Sequence, residues 1–311
     1  MRINGFNIDP GSNREIKLLI CKLPSGSKVS VRARVFRSTN PGPTVLILAG
    51  MHGDEINGIE IVRRCIETNL FNQLTSGSVI AIPVLNTYGF MNFSRYLPDG
   101  KDVNRSFPGN SKGSLASRVA HVMTKKILPI IDFGIDMHTG GDNRFNFPQI
   151  RYTTGSEEGR ELAYAFKPPI VIANSTIRKT LRAQAKTKNI PIIVYEAGES
   201  LRLDQDSIAI GIEGIKNVLR HKNMLEPMPQ HDTDCLSFKK LSWLRAPQSG
   251  IFIWKTPSGH HVKKTDILGY IYSPIGEEKI PILATRTGYI IGHNNNPVVN
   301  IGDALFHIAY E

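Results

Sequence analysis

Apolar runs alternate with segments of helical spacing along the first 235 residues. The apolar runs predict strands, at Ile16–Leu23, Lys28–Phe36, Val45–Ala49, Ser78–Val84, Ile130–Met137 and Ile190–Tyr195. Amphipathic segments predict helices from Glu55 to about Leu70 and at Ser114–Leu128, Glu157–Phe166 and Asp204–Arg220. Such alternation predicts an α/β fold with a mostly parallel mixed sheet and helices on both faces.

The pattern changes after a polar segment at Pro227–Asp234, and short strands separated by Gly and Pro follow. A weak repeat relates Ser249–Phe252 to Thr287–Ile290, as in small β-barrels built from paired half-motifs. We therefore expect a catalytic domain at residues 1–235 and a small all-β domain at residues 236–311.

The chain carries 38 Lys and Arg residues against 27 Asp and Glu residues, a formal net charge of +11. This charge favours either a polyanion or a small anionic substrate as the partner. The basic residues are scattered and form no long block. A small anionic substrate is therefore the prediction, without specific nucleic-acid binding. A non-enzymatic polyanion-binding protein is the alternative.

Three cysteines without a C-x-x-C pair indicate a reducing compartment. The amino terminus lacks the pattern of a signal peptide. No apolar run approaches the roughly 20 residues that span a bilayer. We expect a cytoplasmic protein without membrane association, and the sequence leaves a homo-oligomer open.

His52 and Glu55 follow the apolar run that ends at Ala49, and His138 follows a second such run. Open α/β sheets bind ligands at the carboxyl ends of their strands. Imidazole and carboxylate groups suit Zn²⁺, which needs three protein ligands in a catalytic site. The alternative is an ordinary helix start with an acidic residue in its first turn. Two histidines at matching positions favour one zinc ion per chain, and Asp136 could orient one of them.

Glu196 ends a third apolar strand. A carboxylate there could take a proton from the attacking water and give it to a leaving amine. The alternative is an exposed acid at a strand end.

A polar loop at residues 94–109 contains Arg95, Asn104 and Arg105. The planar guanidinium of arginine binds carboxylates through two parallel hydrogen bonds, so the loop predicts recognition of a carboxylate. An ordinary solvated loop is the alternative.

Together these segments resemble the succinylglutamate desuccinylase/aspartoacylase family, relatives of the zinc carboxypeptidases. The matching motifs, in the family's order, are His52-Gly-Asp-Glu55, Asp102-Val-Asn104-Arg105, Asp136-Met-His138 and Glu196-Ala-Gly198. The resemblance covers most of the chain.

The resemblance implies a role for each site residue. It implies Zn²⁺ on His52, Glu55 and His138, with Glu196 as the acid and base. It also implies that Asn104 and Arg105 hold a substrate carboxylate and that Arg95 polarises the scissile carbonyl. The trailing domain resembles a lipoyl/biotinyl-like barrel near the active-site mouth. It lacks a Met-Lys-Met carrier signature, so we expect no swinging-arm role.

One departure leaves the substrate open. Aspartoacylase has a further substrate-binding arginine shortly before its catalytic Glu, where this chain has Lys186, and the nearest arginine is Arg182. The expected function is a zinc-dependent amidohydrolase that removes an acyl group from an N-acyl amino acid or a related carboxylate-bearing amide. The alternative with the same chemistry is a zinc metallocarboxypeptidase acting on peptide C-termini.

Overall fold

A computed structural model describes residues 1–23, 25–228, 235–276 and 278–311. The strands are β1 (Arg2–Ile3), β2 (Phe6–Asn7), β3 (Asn13–Lys22), β4 (Lys28–Arg37), β5 (Thr44–Leu48), β6 (Ser78–Ile82), β7 (Phe133–Gly140), β8 (Arg144–Thr153), β9 (Ile170–Asn174), β10 (Ile192–Glu199), β11 (Leu236–Phe238), β12 (Lys240–Arg245), β13 (Gly250–Trp254), β14 (His261–Val262), β15 (Ile267–Tyr272), β16 (Lys279–Leu283), β17 (Gly288–Asn294), β18 (Val298–Val299) and β19 (Ala304–Tyr310).

The α-helices are α1 (Ile56–Glu67), α2 (Thr87–Met91), α3 (Leu115–Val122), α4 (Glu157–Ala165), α5 (Leu181–Lys186) and α6 (Gln205–His221). Short 3₁₀ turns occur at Leu70–Gln73, Val103–Arg105 and Leu128–Ile130, and a π-helical turn at Met123–Ile127 extends α3. Among the described residues no helix has both the length and the apolar character to cross a bilayer.

A 13-stranded mixed sheet organises the molecule, in the order β12-β19-β17-β8-β10-β7-β5-β6-β4-β3, with β14, β9 and β11 attached beside this path. The strands β10, β7, β5 and β6 run parallel to one another, and β8 and β4 flank them antiparallel. The structure thus confirms the predicted mixed sheet, with its parallel strands at the centre.

Alternate residues of β5 point into two different cores, because successive side chains of a strand face opposite sides of the sheet. Val45 and Ile47 pack in the core formed with α1, α4 and α6. Leu46 and Leu48 pack in the core formed with α3 and α5. Helices therefore cover both faces, as predicted, and β5 is buried throughout.

The region after residue 235 contains β-strands and no α-helix in its described part. The strands β16, β15, β13 and β18 form a separate four-stranded sheet, which contributes to a third core. In contrast, β17 pairs with β8 and continues the large sheet. The domain boundary at residue 235 stays a prediction, and residues 229–234 of the expected linker lie outside the described residues.

Three elements that position the site were not anticipated: β8, β9 and α5. The β8 sequence is rich in polar residues and contains Pro148, so it lacks the continuous apolar run by which the other central strands are recognised. Helix α5 spans only 6 residues, too few for a helical period to stand out. The segment expected to be one long loop, Asn86–Phe107, also contains α2 and a 3₁₀ turn.

Candidate active site

The candidate site lies at the carboxyl ends of the central parallel strands. His52 follows β5 through a turn in which Gly50 has a φ of +60°, a left-handed conformation that glycine adopts without strain. Glu55 immediately precedes α1. His138 and Glu196 lie opposite each other on β7 and β10. The topology therefore brings together side chains that are up to 144 residues apart in sequence.

His52, Glu55 and His138 form a compact cluster. One carboxylate oxygen of Glu55 lies 2.6 Å from His52 Nδ1, and the other lies 2.8 Å from His138 Nδ1. The side chains are 2%, 2% and 5% exposed, respectively. Their ligand atoms all lie within 4.8 Å of one another, which is close enough for one ion to contact all three.

Two further carboxylates orient the imidazole rings. His138 Nε2 lies 3.0 Å from Asp136 Oδ2, and His52 Nε2 lies 3.2 Å from Asp102 Oδ1. With these outer nitrogens protonated and donating, each Nδ1 presents a lone pair to the Glu55 carboxylate. A nitrogen and a carboxylate oxygen at these distances share either a proton or a metal ion. The donor set therefore fits a divalent metal ion.

The charges of the cluster favour positive charge at its centre. Burial alone would lower the pKa of both histidines, but the carboxylate of Glu55 at His52 and that of Asp136 at His138 outweigh it, so both pKa values are raised. Burial would raise the pKa of Glu55, yet the two histidines hold it well below its usual range. The carboxylate is therefore ionised and available as a ligand.

Arg95 approaches the cluster from the polar loop. Its Nη2 donates to Asp102 Oδ2 at 2.9 Å, and its Nη1 lies 3.3 Å from Glu55 Oε1. Gly53 lets this loop come close, because its amide donates to the Ser94 carbonyl at 3.0 Å and a Cβ there would lie 1.8 Å from a backbone carbon of Gly89. A guanidinium is thereby held next to the cluster.

Asn104 and Arg105 stand at the cavity mouth. The side-chain oxygen of Asn104 accepts from the Leu181 amide at 2.9 Å, which ties the loop to α5. Arg105 is exposed, and its Nη1 donates to the Asn104 carbonyl at 2.8 Å. Its guanidinium has no carboxylate partner among the described residues, so it is available to an anionic ligand.

Glu196 faces the same cavity, where Asn146 Nδ2 donates to its Oε2 at 3.0 Å. The cavity has a volume of about 250 Å³. It is lined by all seven residues named from the sequence: His52, Glu55, Arg95, Asn104, Arg105, His138 and Glu196. The structure therefore brings the predicted site residues together, while their individual roles stay predictions.

Sequence reasoning missed several residues of this cavity, among them Asn146, Arg151, Asn174 and Trp243. Arg151 lies on β8, Asn174 ends β9, and Trp243 comes from β12 in the C-terminal region. Trp243 stacks on His307 with ring centroids 4.0 Å apart. The sequences of these strands carry no local pattern that marks a site. Only the folded structure, which brings the residues together, reveals them.

Arg151 and Arg182 line the same cavity and lie close enough for their charges to interact, and the carboxylates of Glu196 and Asp136 also act on Arg182. Arg151 reaches Gln149 Oε1 at 3.3 Å. Arg182 Nη1 and Asn174 Oδ1 are buried without a hydrogen-bond partner in the described part of the chain. Burial and the nearby charge of Arg151 lower the pKa of the Arg182 guanidinium to about 10. The Arg182 guanidinium thus has an unpaired donor beside a second cation, which favours an anionic ligand, whereas Asn174 Oδ1 offers an acceptor.

Comparison with known proteins connects this geometry to a family. The model of the succinylglutamate desuccinylase/aspartoacylase catalytic domain matches residues 41–222, more than half of the chain. The chain is also 27% identical over 286 residues to N-alpha-acetyl-L-2,4-diaminobutyric acid deacetylase of Halomonas elongata, covering 86% of this chain and 82% of that protein.

Solved structures show the same fold. The product-bound ectoine utilization protein EutE (DoeB) of Ruegeria pomeroyi is 22% identical, with a TM-score of 0.88 over 100% of this chain and 97% of that chain. A succinylglutamate desuccinylase/aspartoacylase of Rhodobacter sphaeroides is 24% identical, with a TM-score of 0.86 over 100% of this chain and 99% of that chain. Both similarities extend through the C-terminal strands.

Proposed function

Because the chain belongs to the succinylglutamate desuccinylase/aspartoacylase family, we propose that it is a zinc-dependent hydrolase that removes the acyl group from small N-acyl amino acids. The observation that carries this proposal is the buried cluster of His52, Glu55 and His138, which shares a cavity with Glu196 and several arginines.

His52, Glu55 and His138 would hold one Zn²⁺ through two imidazole nitrogens and a carboxylate oxygen. Asp102 and Asp136 would fix the ring orientations through the opposite nitrogens. A zinc ion bound there would polarise an amide carbonyl and make water a better nucleophile at neutral pH.

Glu196 would handle the proton during hydrolysis. Its carboxylate accepts a proton from the attacking water as the new C–O bond forms, and it gives that proton to the nitrogen as the C–N bond breaks. The products are a carboxylate and an amine. Arg95 would donate from Nη1 to the carbonyl oxygen and stabilise the negative charge that develops there.

Several arginines would select an anionic substrate. Arg105 and Asn104 would bind a carboxylate at the mouth, and Arg151 with Arg182 would favour further negative charge inside. The substrate named for the Halomonas elongata relative carries a second amino group. A protonated amine near Arg151 and Arg182 would be repelled, so we expect this chain to favour acidic side chains.

A substrate panel tests the proposal. Zinc-loaded protein is assayed with N-acetylaspartate, N-succinylglutamate, N-acetylglycine and N-acetyl-2,4-diaminobutyrate. We expect kcat/KM to be at least about tenfold higher for the acidic substrates than for the amine-bearing one, a difference of about 1.4 kcal/mol. If none of the substrates in the panel is hydrolysed, the proposed deacylase activity is refuted.

The same panel separates the alternatives. Dipeptides with free C-termini would be hydrolysed faster than N-acyl amino acids by a metallocarboxypeptidase. A polyanion-binding protein would hydrolyse neither class, and its affinity would fall steeply with salt without any effect of chelators. The proposed deacylase should lose activity on chelation and regain it when Zn²⁺ is restored.

A further inference from the structure

The carboxylate of Glu196 is held by a single side chain of the described chain. Asn146 Nδ2 donates to Glu196 Oε2 at 3.0 Å, and Asn146 is only 8% exposed. No other hydrogen bond to the carboxylate exists among the described residues. Oε2 is therefore fixed, while Oε1 stays free to exchange a proton.

The sheet alone does not fix the direction of Glu196. The pairing of β10 is irregular immediately after this residue, with a register shift between Glu196 and Gly198 against β8 and another between Glu196 and Glu199 against β7. Gly198 has a φ of +75°. Bulges next to active sites re-aim side chains, and Asn146 gives the Glu196 side chain a further contact at this point.

Asn146 itself lies between two glycines of neighbouring strands. In the sheet register it is opposite Gly198 of β10 and opposite Gly292 of β17. A Cβ at Gly292 would lie 3.0 Å from Asn146 Oδ1 and 3.2 Å from the Phe145 carbonyl oxygen. A side chain at position 292 would therefore require Asn146 Oδ1 to move by a few tenths of an ångström.

We propose that Asn146 is a positioning residue for Glu196, and that Gly292 in the C-terminal strand β17 provides the space this position requires. The inference rests on the proposed function. It gives the C-terminal region a part in the reaction, because β17 continues the catalytic sheet directly behind Asn146.

The direct test compares Asn146→Ala and Asn146→Asp with wild type, all loaded with zinc. Loss of the amide donor should lower kcat about 10- to 100-fold while KM changes less than about twofold, because the substrate contacts are kept. Asn146→Asp should also move the acidic limb of the kcat profile to higher pH, because a second carboxylate disfavours the ionised form of Glu196. Asn300→Ala, at an exposed position outside the cavity, is the control and should be unchanged.

A double-mutant cycle tests the role of Gly292. Gly292→Ala should lower kcat, and combining it with Asn146→Ala should add little, since both changes act on the same contact. Thermal melting checks that each variant is folded. Should Gly292→Ala fail to fold, the Asn146 variants still decide the positioning role.

Several outcomes would overturn the inference. An unchanged kcat in Asn146→Ala would show that Glu196 needs no such support. A rise in KM alone would show that Asn146 contacts the substrate instead. If the effects of Asn146→Ala and Gly292→Ala on kcat multiply, Gly292 has no part in positioning Asn146. A crystal structure of Asn146→Ala with the Glu196 carboxylate unmoved would refute positioning without reference to activity. Failure of the proposed function is seen separately, as an inactive wild type.

Discussion

Two groups of cavity residues differ in how their polar atoms are paired. We call the cluster of His52, Glu55 and His138 the metal end and the group of Arg151, Asn174 and Arg182 the arginine end. At the metal end, both nitrogens of His52 and His138 and both carboxylate oxygens of Glu55 have partners, while Asp136 Oδ1 and Thr139 Oγ1 beside them are buried without one among the described residues. At the arginine end, Arg182 Nη1 and Asn174 Oδ1 are buried without a partner in the described chain.

This difference indicates different occupants. A buried polar group without a hydrogen bond costs about 1–3 kcal/mol, and a ligand bound in the cavity can supply the missing partner there. The ligand atoms at the metal end are close enough together for one bound ion to contact all of them. The arginine end has one donor, Arg182 Nη1, and one acceptor, Asn174 Oδ1, left over for a ligand that binds and leaves. Substitutions at the metal end should therefore abolish the reaction, and those at the arginine end should change substrate choice.

Outside the three residues of the metal end, the largest effect is expected at Glu196. Glu196→Gln keeps the shape of the side chain but removes the base, so kcat should fall about 10²- to 10⁴-fold. Metal content should stay at the wild-type value, as measured by elemental analysis. The exposed Glu161→Gln is the control, and equal turnover in both variants would exclude Glu196 from the reaction.

Substitutions at the arginine end should mainly raise KM. Arg182→Ala should raise KM for an acidic N-acyl amino acid about 10- to 100-fold, because a hydrogen bond to a charged group contributes about 1.5–3 kcal/mol. Activity on N-acetylglycine should change less. Arg178→Ala, at an exposed position nearby, serves as the comparison. Equal losses on both substrates would contradict an anion-selecting role for Arg182.

The arginine end also borders a buried neutral histidine. Burial, with the positive charge of Arg151, lowers the pKa of His307 to about 3. The unfolded chain binds a proton near pH 6.5, so this contribution to stability is complete above that pH. It is lost as the pH falls toward 3, by about 1.4 kcal/mol per pH unit.

Urea unfolding at several pH values measures this dependence. The free energy of unfolding should fall less steeply with decreasing pH in His307→Gln than in wild type. The exposed His260→Gln should keep the wild-type slope. Identical slopes in all three proteins would show that His307 is not the group that titrates.

The smallest effect is expected at the cavity mouth. Arg105 is exposed, and solvent screens its attraction to a carboxylate. Arg105→Ala should raise KM for a carboxylate-bearing amide by less than about tenfold, or about 1.4 kcal/mol. A comparison with the same amide lacking the carboxylate isolates this contact, and parallel losses on both would rule it out.

The sequence predicted the residues of the metal end better than the other residues of the cavity. His52, His138 and Glu196 each follow an apolar run, and parallel strands place their carboxyl ends at one edge of the sheet. Their convergence could therefore be inferred from local pattern, and the resemblance to a family supplied their expected roles. The confirmed mixed sheet follows from the same apolar runs.

Asn146, Arg151 and Trp243 could not be found in this way. The strand β8 has a mixed polar sequence and runs antiparallel between β10 and β17. Trp243 reaches the cavity from β12, a strand at the far edge of the sheet path. Their place in the site depends on the pairing of strands that are distant in sequence. The periodicity of apolar residues along the chain does not predict such pairing.

The most direct test is the metal content of purified protein. Wild type, His52→Ala and His138→Ala are dialysed against trace Zn²⁺ and analysed for metal, with His260→Ala as the control. We expect one zinc ion per chain in wild type and in the control, and a large loss of zinc in both cluster variants. Zinc retained at the wild-type ratio in His52→Ala and His138→Ala, or absent from wild type, would contradict it.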